Sequence, residues 1–316
     1  MISLIILERK IPECLPYYEV MMRRSLDPTK YETEYAKANA GYYGECRLDQ
    51  EWKDANIHGL FFHDFTCINK AGKWHQIDTI YVCKHFVFII EVKNVTGRIE
   101  VNPQTYQLLR YTENREVKAF SSPIEQVKRH RHMLTDYLET IHGHIPIEAA
   151  VIITNLDCLI GNTGNDIPIF VVTGLRSKIA ELTERYKHIN LNLQQIKASL
   201  QKLYRPQTQQ PWRKKDSIRF GVLCLNCNNR MIPTNNGFKC PRCNLYDSNH
   251  LAVRRTLHDF RVIYGPEISN RQFRQFAEIK SPDTAYKILS RLLPERKGIR
   301  RNVTYLIPKN IYQPSY

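Results

Sequence analysis

The sequence predicts an α/β protein: a mixed sheet flanked by helices, followed by a small cysteine-held module and a small basic helical module. Three observations carry that expectation. Helix, strands, helix, strand, helix follow one another through the first two hundred residues, and some strands are too continuously apolar to face water. Four cysteines fall in two tight pairs, Cys224/Cys227 and Cys240/Cys243. The net charge of +15 is confined to one end: residues 1–204 hold 25 Lys and Arg against 24 Asp and Glu, and residues 205–316 hold 21 against 7.

Residues 2–7 (ISLIIL) read as an early strand. The run is too short to span a bilayer, passes at once into Glu8-Arg9-Lys10, and lacks the leader and cleavage pattern of a signal peptide. Residues 12–35 read as a helix and a polar linker ending in Asp27-Pro28. From 36 to 52 the pattern is helical, with Glu45, Leu48, Asp49 and Trp52 on one face and Gly41 and Gly44 interrupting its start. Strands follow at 60–65, 77–82 and 86–92; the last is the buried central strand, and Cys83-Lys84-His85 is its hairpin connection. More exposed strands are expected at 98–101 and 106–111. Pro123 opens a helix to about residue 141, at a first-turn position where its missing N–H costs nothing. Strands at 149–154 and 169–172 and helices at 175–186 and 192–204 complete a domain over 1–205, whose motif core is 36–150. Residues 206–217 are polar, hold Pro206 and Pro211, and form the linker to modules at 218–250 and 251–316.

Composition narrows the class. Hydrophobic residues at 42% and charged residues at 24% are ordinary for a soluble globular chain. No apolar stretch has membrane length, so no membrane partner is expected. Nine cysteines, five of them scattered, suit a reducing cytoplasm better than a disulfide scaffold, and the expected location is cytoplasmic. The one-sided positive charge calls for a polyanion, most simply a nucleic acid backbone; a solvated basic surface is the alternative.

The segment with most chemistry is Gln76-Ile77-Asp78 followed by Glu91-Val92-Lys93. Strand alternation points Glu91 and Lys93 to one face and Val92 to the other. Pairing across the hairpin brings Asp78 beside Glu91. Two adjacent carboxylates are a hard-oxygen site for Mg²⁺ or Mn²⁺, and Lys93 beside them can orient water or stabilise developing negative charge. A structural Asp–Lys–Glu cluster at a strand end fits the same pattern. Glu45 follows Gly41-x-x-Gly44, where glycine permits close approach, and reads otherwise as a solvated helical glutamate. Gln126 and His130 lie one helical turn apart and suit contact with a phosphate or a bound water; an exposed polar face is the alternative.

In order, Gly41-x-x-Gly44-Glu45, Gln76-Ile77-Asp78, Glu91-Val92-Lys93-Asn94 and Pro123-x-x-Gln126 resemble the nuclease-related (NERD) domain, a branch of the PD-(D/E)XK restriction-endonuclease-like superfamily. The resemblance covers about residues 1–150 and runs more weakly to about 205. It implies a restriction-endonuclease-like mixed sheet flanked by helices. It implies Asp78, Glu91 and Lys93 as the catalytic core, with Asp78 and Glu91 as Mg or Mn ligands and Glu45 and Gln126 as supporting residues.

Cys224-x-x-Cys227 and Cys240-x-x-Cys243, 12 residues apart, offer four thiolates for one tetrahedral Zn²⁺ with no open position. The segment resembles a zinc ribbon, and a domain so short needs the metal to hold together, so a structural zinc is expected. In the tail, a short helix over 268–276 capped by Ser269 or Asn270, a break at Ile279-Lys280, a second helix opened by Ser281-Pro282, a basic turn at 296–301 and a strand at 303–307 resemble a winged helix-turn-helix. Thr284 and Lys287 would then meet a groove, and Arg300 and Arg301 phosphates. A basic helical packing module is the alternative.

Two functions from different classes follow. One is a divalent-metal-dependent nuclease hydrolysing phosphodiester bonds, in DNA by the family's implication, targeted by C-terminal DNA-binding modules. The other is a catalytically inactive nucleic-acid-binding or regulatory protein on a nuclease fold.

Overall fold

The computed structural model describes residues 4–112, 114, 116–164, 167–206, 216–298 and 303–312. These form two compact units, 1–11 with 39–209 and 12–38 with 210–316. In chain order the elements begin β1 (Leu4–Leu7), α1 (Cys14–Arg24) and α2 (Thr29–Asp54).

The first unit continues with β2 (Leu60–Ile68), β3 (Trp74–Val82), β4 (Val87–Lys93), β5 (Arg98–Val101), β6 (Leu108–Tyr111), β7 (Val117–Phe120), α3 (Pro123–His142), β8 (Ile147–Ile153), β9 (Leu159–Ile160), β10 (Ile169–Val171), α4 (Leu175–Arg185) and α5 (Leu193–Leu203). Its main sheet has the order β1-β2-β3-β4-β8-β10. The β2–β3–β4 meander is antiparallel, whereas β1 on β2, β8 on β4 and β10 on β8 are parallel. A smaller sheet, β7-β6-β5-β9, is separate in its hydrogen bonding but adds Ile99 and Leu108 to the core of Val87 and Ile89. The apolar run of β4 is explained by cover on both faces. Val87 and Ile89 share a core with Ile124, Val127, Leu134 and Leu138 of α3 and with Ile196 and Leu200 of α5. Phe88, Ile90 and Val92 share another with Leu48 and Trp52 of α2 and with Leu175, Ile179 and Leu182 of α4. This is the expected mixed sheet between helical layers. The α3 start is set as expected, with the Ser122 side chain accepting from Glu125 N–H and Pro123 in the first turn.

The second unit holds α1 and the start of α2, then β11 (Ile232–Pro233), β12 (Gly237–Lys239), β13 (Tyr246–Ser248), α6 (Asn249–Tyr264), β14 (Glu267–Ser269), α7 (Asn270–Ala277), α8 (Pro282–Leu292), β15 (Arg296–Lys297) and β16 (Thr304–Leu306). Helix, strand, helix, helix and two strands with sheet order β14-β16-β15 extend the winged-helix pattern read from the tail. Ser269 closes a capping box with Gln272, which resolves the choice of cap.

The unit departs from the expected division in two ways. Residues 12–38 pack with 210–316 instead of with the first 205 residues, and 218–250 and 251–312 share one core. Cys224, Met231 and Phe238 pack with Val253, Leu257, Phe260, Phe273, Ala285, Leu289 and Tyr305. The linker expected over 206–217 falls mostly outside the described residues.

The element that joins the two modules is α6, which the sequence reading did not find. Its buried face mixes Ala252, Val253, Leu257 and Phe260 with Arg255, Thr256 and Asp259, which blurs the apolar stripe. The buried charges are paired. Arg24 Nε donates to Asp259 Oδ2 at 2.7 Å, with the two side chains 1% and 2% exposed, and Arg23 donates to Asp259 Oδ1 at 2.6 Å. Arg24 also donates to the Arg219 and Gly221 carbonyls and stacks its guanidinium over Phe276. Although burial pushes the Asp259 carboxyl up, the charges of Arg24 and Arg23 outweigh it and hold the carboxyl below its usual range.

Removing one partner strands the other's charge in the core. Arg24→Ala is therefore expected to destabilise this unit by about 3–5 kcal/mol, and Arg23→Ala by less, as read from denaturant unfolding.

Candidate active site and zinc centre

The β3–β4 ladder runs from Val82–Val87 to Thr79–Ile90. The next rung would pair Asp78 with Glu91. There the Val92 N–H donates to Asp78 Oδ2 at 2.7 Å, so a side chain stands in for a backbone acceptor. The opposite edge of Asp78 is irregular too. The β2–β3 register passes from His63–Thr79 to Phe65–Ile77 without a rung at Asp64–Asp78, and Asp64 is left-handed at φ 49°. The alternation slips by one residue at this point, since Phe62 and Phe65, and Ile80 and Ile77, all join the same core. Asp64, Asp78 and Glu91 thus form a row of carboxylate-bearing positions across three adjacent strands.

Glu91 and Lys93 point to one face, as alternation requires, and Lys93 Nζ donates to Glu91 Oε1 at 2.6 Å. Glu91 is 2% exposed, and its Oε2 is buried without a hydrogen-bond partner among the described residues. Gln126, in the first turn of α3, approaches near enough to favour the charged form of Glu91, short of a well-formed bond to Oε2. Burial first and the Asp78 charge second push the Glu91 carboxyl up to about 7, against Lys93. Burial also raises Asp78, opposed by the Val92 N–H and Lys93.

Glu45 reaches this group because of Gly44. A Cβ there would stand 2.7 Å from Asn94 Cβ and 2.7 Å from Thr154 Oγ1, so only glycine lets α2 close on the ends of β4 and β8. Asn94 Nδ2 donates to the Ala40 carbonyl across the same contact. Gly41 meets nothing within 4 Å and has no such role. Burial and then the Asp78 charge push Glu45 up to about 8.

One participant escaped the sequence reading. The Arg9 guanidinium, its side chain 5% exposed, donates to Glu45 at 2.7 Å, Asp49 at 2.6 Å and Asp64 at 3.0 Å, and also to Thr79 Oγ1 at 3.0 Å. The available signal was Glu45 and Asp49 one turn apart, a repulsive pair that calls for a cation. His130 departs from the expected exposed role: it is buried, with its Nδ1 3.0 Å from His75 Nδ1, and burial pushes its imidazole down to about 4.

Among the described residues, the four cysteines are the set of three or more ligand side chains whose donor atoms lie within 4.8 Å of one another. Glu45, Asp78 and Glu91 do not form such a set. The sulfur separations Cys224–Cys243, Cys227–Cys240 and Cys227–Cys243 are 3.5, 3.4 and 3.7 Å. Four thiolates about 2.3 Å from one Zn²⁺ stand about 3.8 Å apart, so the cluster fits a structural zinc. For a divalent ion at the carboxylates, the fit rests on the orphaned Glu91 oxygen and on mutual repulsion that Lys93 and Arg9 only partly offset. Thr284 and Lys287 are exposed on α8, and Thr284 borders a cleft of about 750 Å³. Arg300 and Arg301 lie outside the described residues.

The mixed sheet thus carries a carboxylate–carboxylate–lysine group at the end of its central strands. Residues 40–154 match the model of the nuclease-related domain, NERD. No curated protein matches the chain. A solved structure, protein VC1899 from Vibrio cholerae, aligns over 53% of this chain at 10% identity with a TM-score of 0.25. The alignment covers 38% of that protein's length. Among the described residues no helix is long and apolar enough to cross a membrane.

The purified chain is expected to carry one zinc per molecule by elemental analysis. Cys240→Ser should lower that content and destabilise the second unit, whose core contains Cys240.

Proposed function

We propose that the chain is a divalent-metal-dependent nuclease that hydrolyses phosphodiester bonds in DNA. The observation that carries this reading is the buried, unpartnered Glu91 oxygen beside Asp78 and Lys93, in a domain that matches the nuclease-related model. Asp78 and Glu91 would hold Mg²⁺ or Mn²⁺. When bound, the ion supplies Lewis-acid polarisation of the phosphodiester and acidifies water. Lys93 stabilises negative charge developing on the phosphoryl oxygens, and its bond to Glu91 keeps it in place. Gln126 orients a water or phosphate oxygen through its amide, and Glu45 adds a carboxylate from the helix side. In the second unit Thr284 and Lys287, with Arg300 and Arg301, contact the nucleic acid.

One observation favours the second reading, an inactive nucleic-acid-binding or regulatory protein. Asp78 Oδ2, Glu91 Oε1 and Glu45 Oε2 are each already bonded within the chain. That reading requires metal-independent binding without cleavage.

Asp78→Ala and Lys93→Ala are expected to lower cleavage of a plasmid with Mn²⁺ by about 100-fold or more, and to lower thermal stability modestly, since each removes the partner of a buried group. Cleavage that survives both substitutions comes from a contaminant. Metal must displace the proton that Glu91 holds below about pH 7. Apparent Mn²⁺ affinity by calorimetry should therefore rise from pH 6 to about pH 8 and level off above. Flat affinity over that range would exclude Glu91 as a ligand. For the second unit, truncation near residue 250 would cut one shared core, so a point substitution is the cleaner test. Lys287→Ala should lower the salt slope of DNA binding by about 1.

A further inference from the structure

The tip of the β2–β3 hairpin and the first half of α3 enclose an open cleft of about 670 Å³. Gln76 and Gln126 line one part of it, two residues before Asp78 and beside Glu91, so the cleft adjoins the candidate site. Lys70, Lys73 and Trp74 of the hairpin and Arg129 of α3 line the rest. None of the three cations is ion-paired with a carboxylate among the described residues. The carboxylate in the lining, Asp136, faces His132 at 3.6 Å. Trp74 is 39% exposed, unusual for so large an apolar ring.

The hairpin is stiff. Asn69 Oδ1 accepts the Ala71 and Lys73 N–H groups at 3.0 and 2.9 Å, and Gly72 takes the left-handed turn position at φ 76°. Asn69 Nδ2 stands 3.1 Å from His75 Nε2, and the His75–His130 contact ties the strand to α3. With both imidazoles pushed down by burial, the floor is uncharged at neutral pH, and the positive field comes from the fixed cations at the rim.

Unpaired cations around an exposed indole fit a phosphate backbone whose bases are free to stack. We propose that this cleft is the entry track for a single nucleic acid strand running toward Asp78 and Glu91, with Lys70, Lys73 and Arg129 on its phosphates and Trp74 against a base. The inference rests on the nuclease reading for its direction, and its occupancy is tested without cleavage.

Full-length Asp78→Ala protein would be irradiated with a single-stranded oligonucleotide carrying 5-iodouracil, and the crosslinked peptide mapped. Crosslinking at Trp74 is expected. Lys70→Glu with Lys73→Glu should reduce it about tenfold, and Lys70→Arg with Lys73→Arg should restore it. In protein with Asp78 intact, the glutamate pair should raise KM for a single-stranded substrate about tenfold and leave kcat within twofold. Crosslinks confined to residues 210–316, or an unchanged KM, would overturn the track and leave the nuclease reading standing. Crosslinking at Trp74 without cleavage by the wild-type chain would uphold the track and remove the nuclease reading.

Discussion

A carboxylate removed from water must be neutralised, protonated or bound to a cation, and the end of the central hairpin contains more carboxylates than it can neutralise. Glu91 is buried, and Asp78 takes a backbone N–H in place of a ladder partner. Lys93 meets one oxygen of Glu91, and Arg9 is spread over Glu45, Asp49 and Asp64. The remainder appears as carboxyl groups raised toward neutral pH, and a divalent ion would relieve it. The cost of holding these groups together is met elsewhere, by two apolar cores that cover both faces of the sheet.

The contrast with Asp259 shows that burial alone is not the signal. Asp259 is as buried as Glu91, yet two arginines bond both its oxygens and hold it below the usual range. Glu91 has one lysine, a repelling neighbour, and an oxygen that Gln126 approaches without a well-formed bond. The first arrangement is complete and joins segments of a core. The second is incomplete in the folded chain, which is what makes it a candidate site and not only a structural pair.

Local pattern made much of this legible in the sequence. The two-residue period of β4 placed Glu91 and Lys93 on one face, Pro123 marked the start of α3, and the paired cysteines announced their module. Gly44 was readable as a close approach, whereas Gly41, in the same motif, proved to touch nothing. Tertiary pairing concealed the rest. Arg9 looks like any charge in a Glu-Arg-Lys run until three acids from α2 and β2 converge on it. Helix α6 was hidden because Arg255 and Asp259 point inward, and an apolar stripe broken by charges does not read as a buried face. The membership of residues 12–38 shows in contacts such as Arg24 with Asp259, more than two hundred positions apart, and Tyr17 and Met21 in a cluster with Val262 and Ile263.

An acidic centre also sets a problem of approach, since a polyanion is repelled by the carboxylates that would process it. Arg9 and Lys93 are bonded to acids and contribute little attraction beyond them. Among the described residues, cations without a carboxylate partner lie off the row instead, at Lys70, Lys73 and Arg129 beside the cleft. Separating groups that would attract phosphate from those that would act on it lets each keep its charge state. Lysines placed among the carboxylates would pair with them, lower their pKa and remove the deficit that favours a divalent ion.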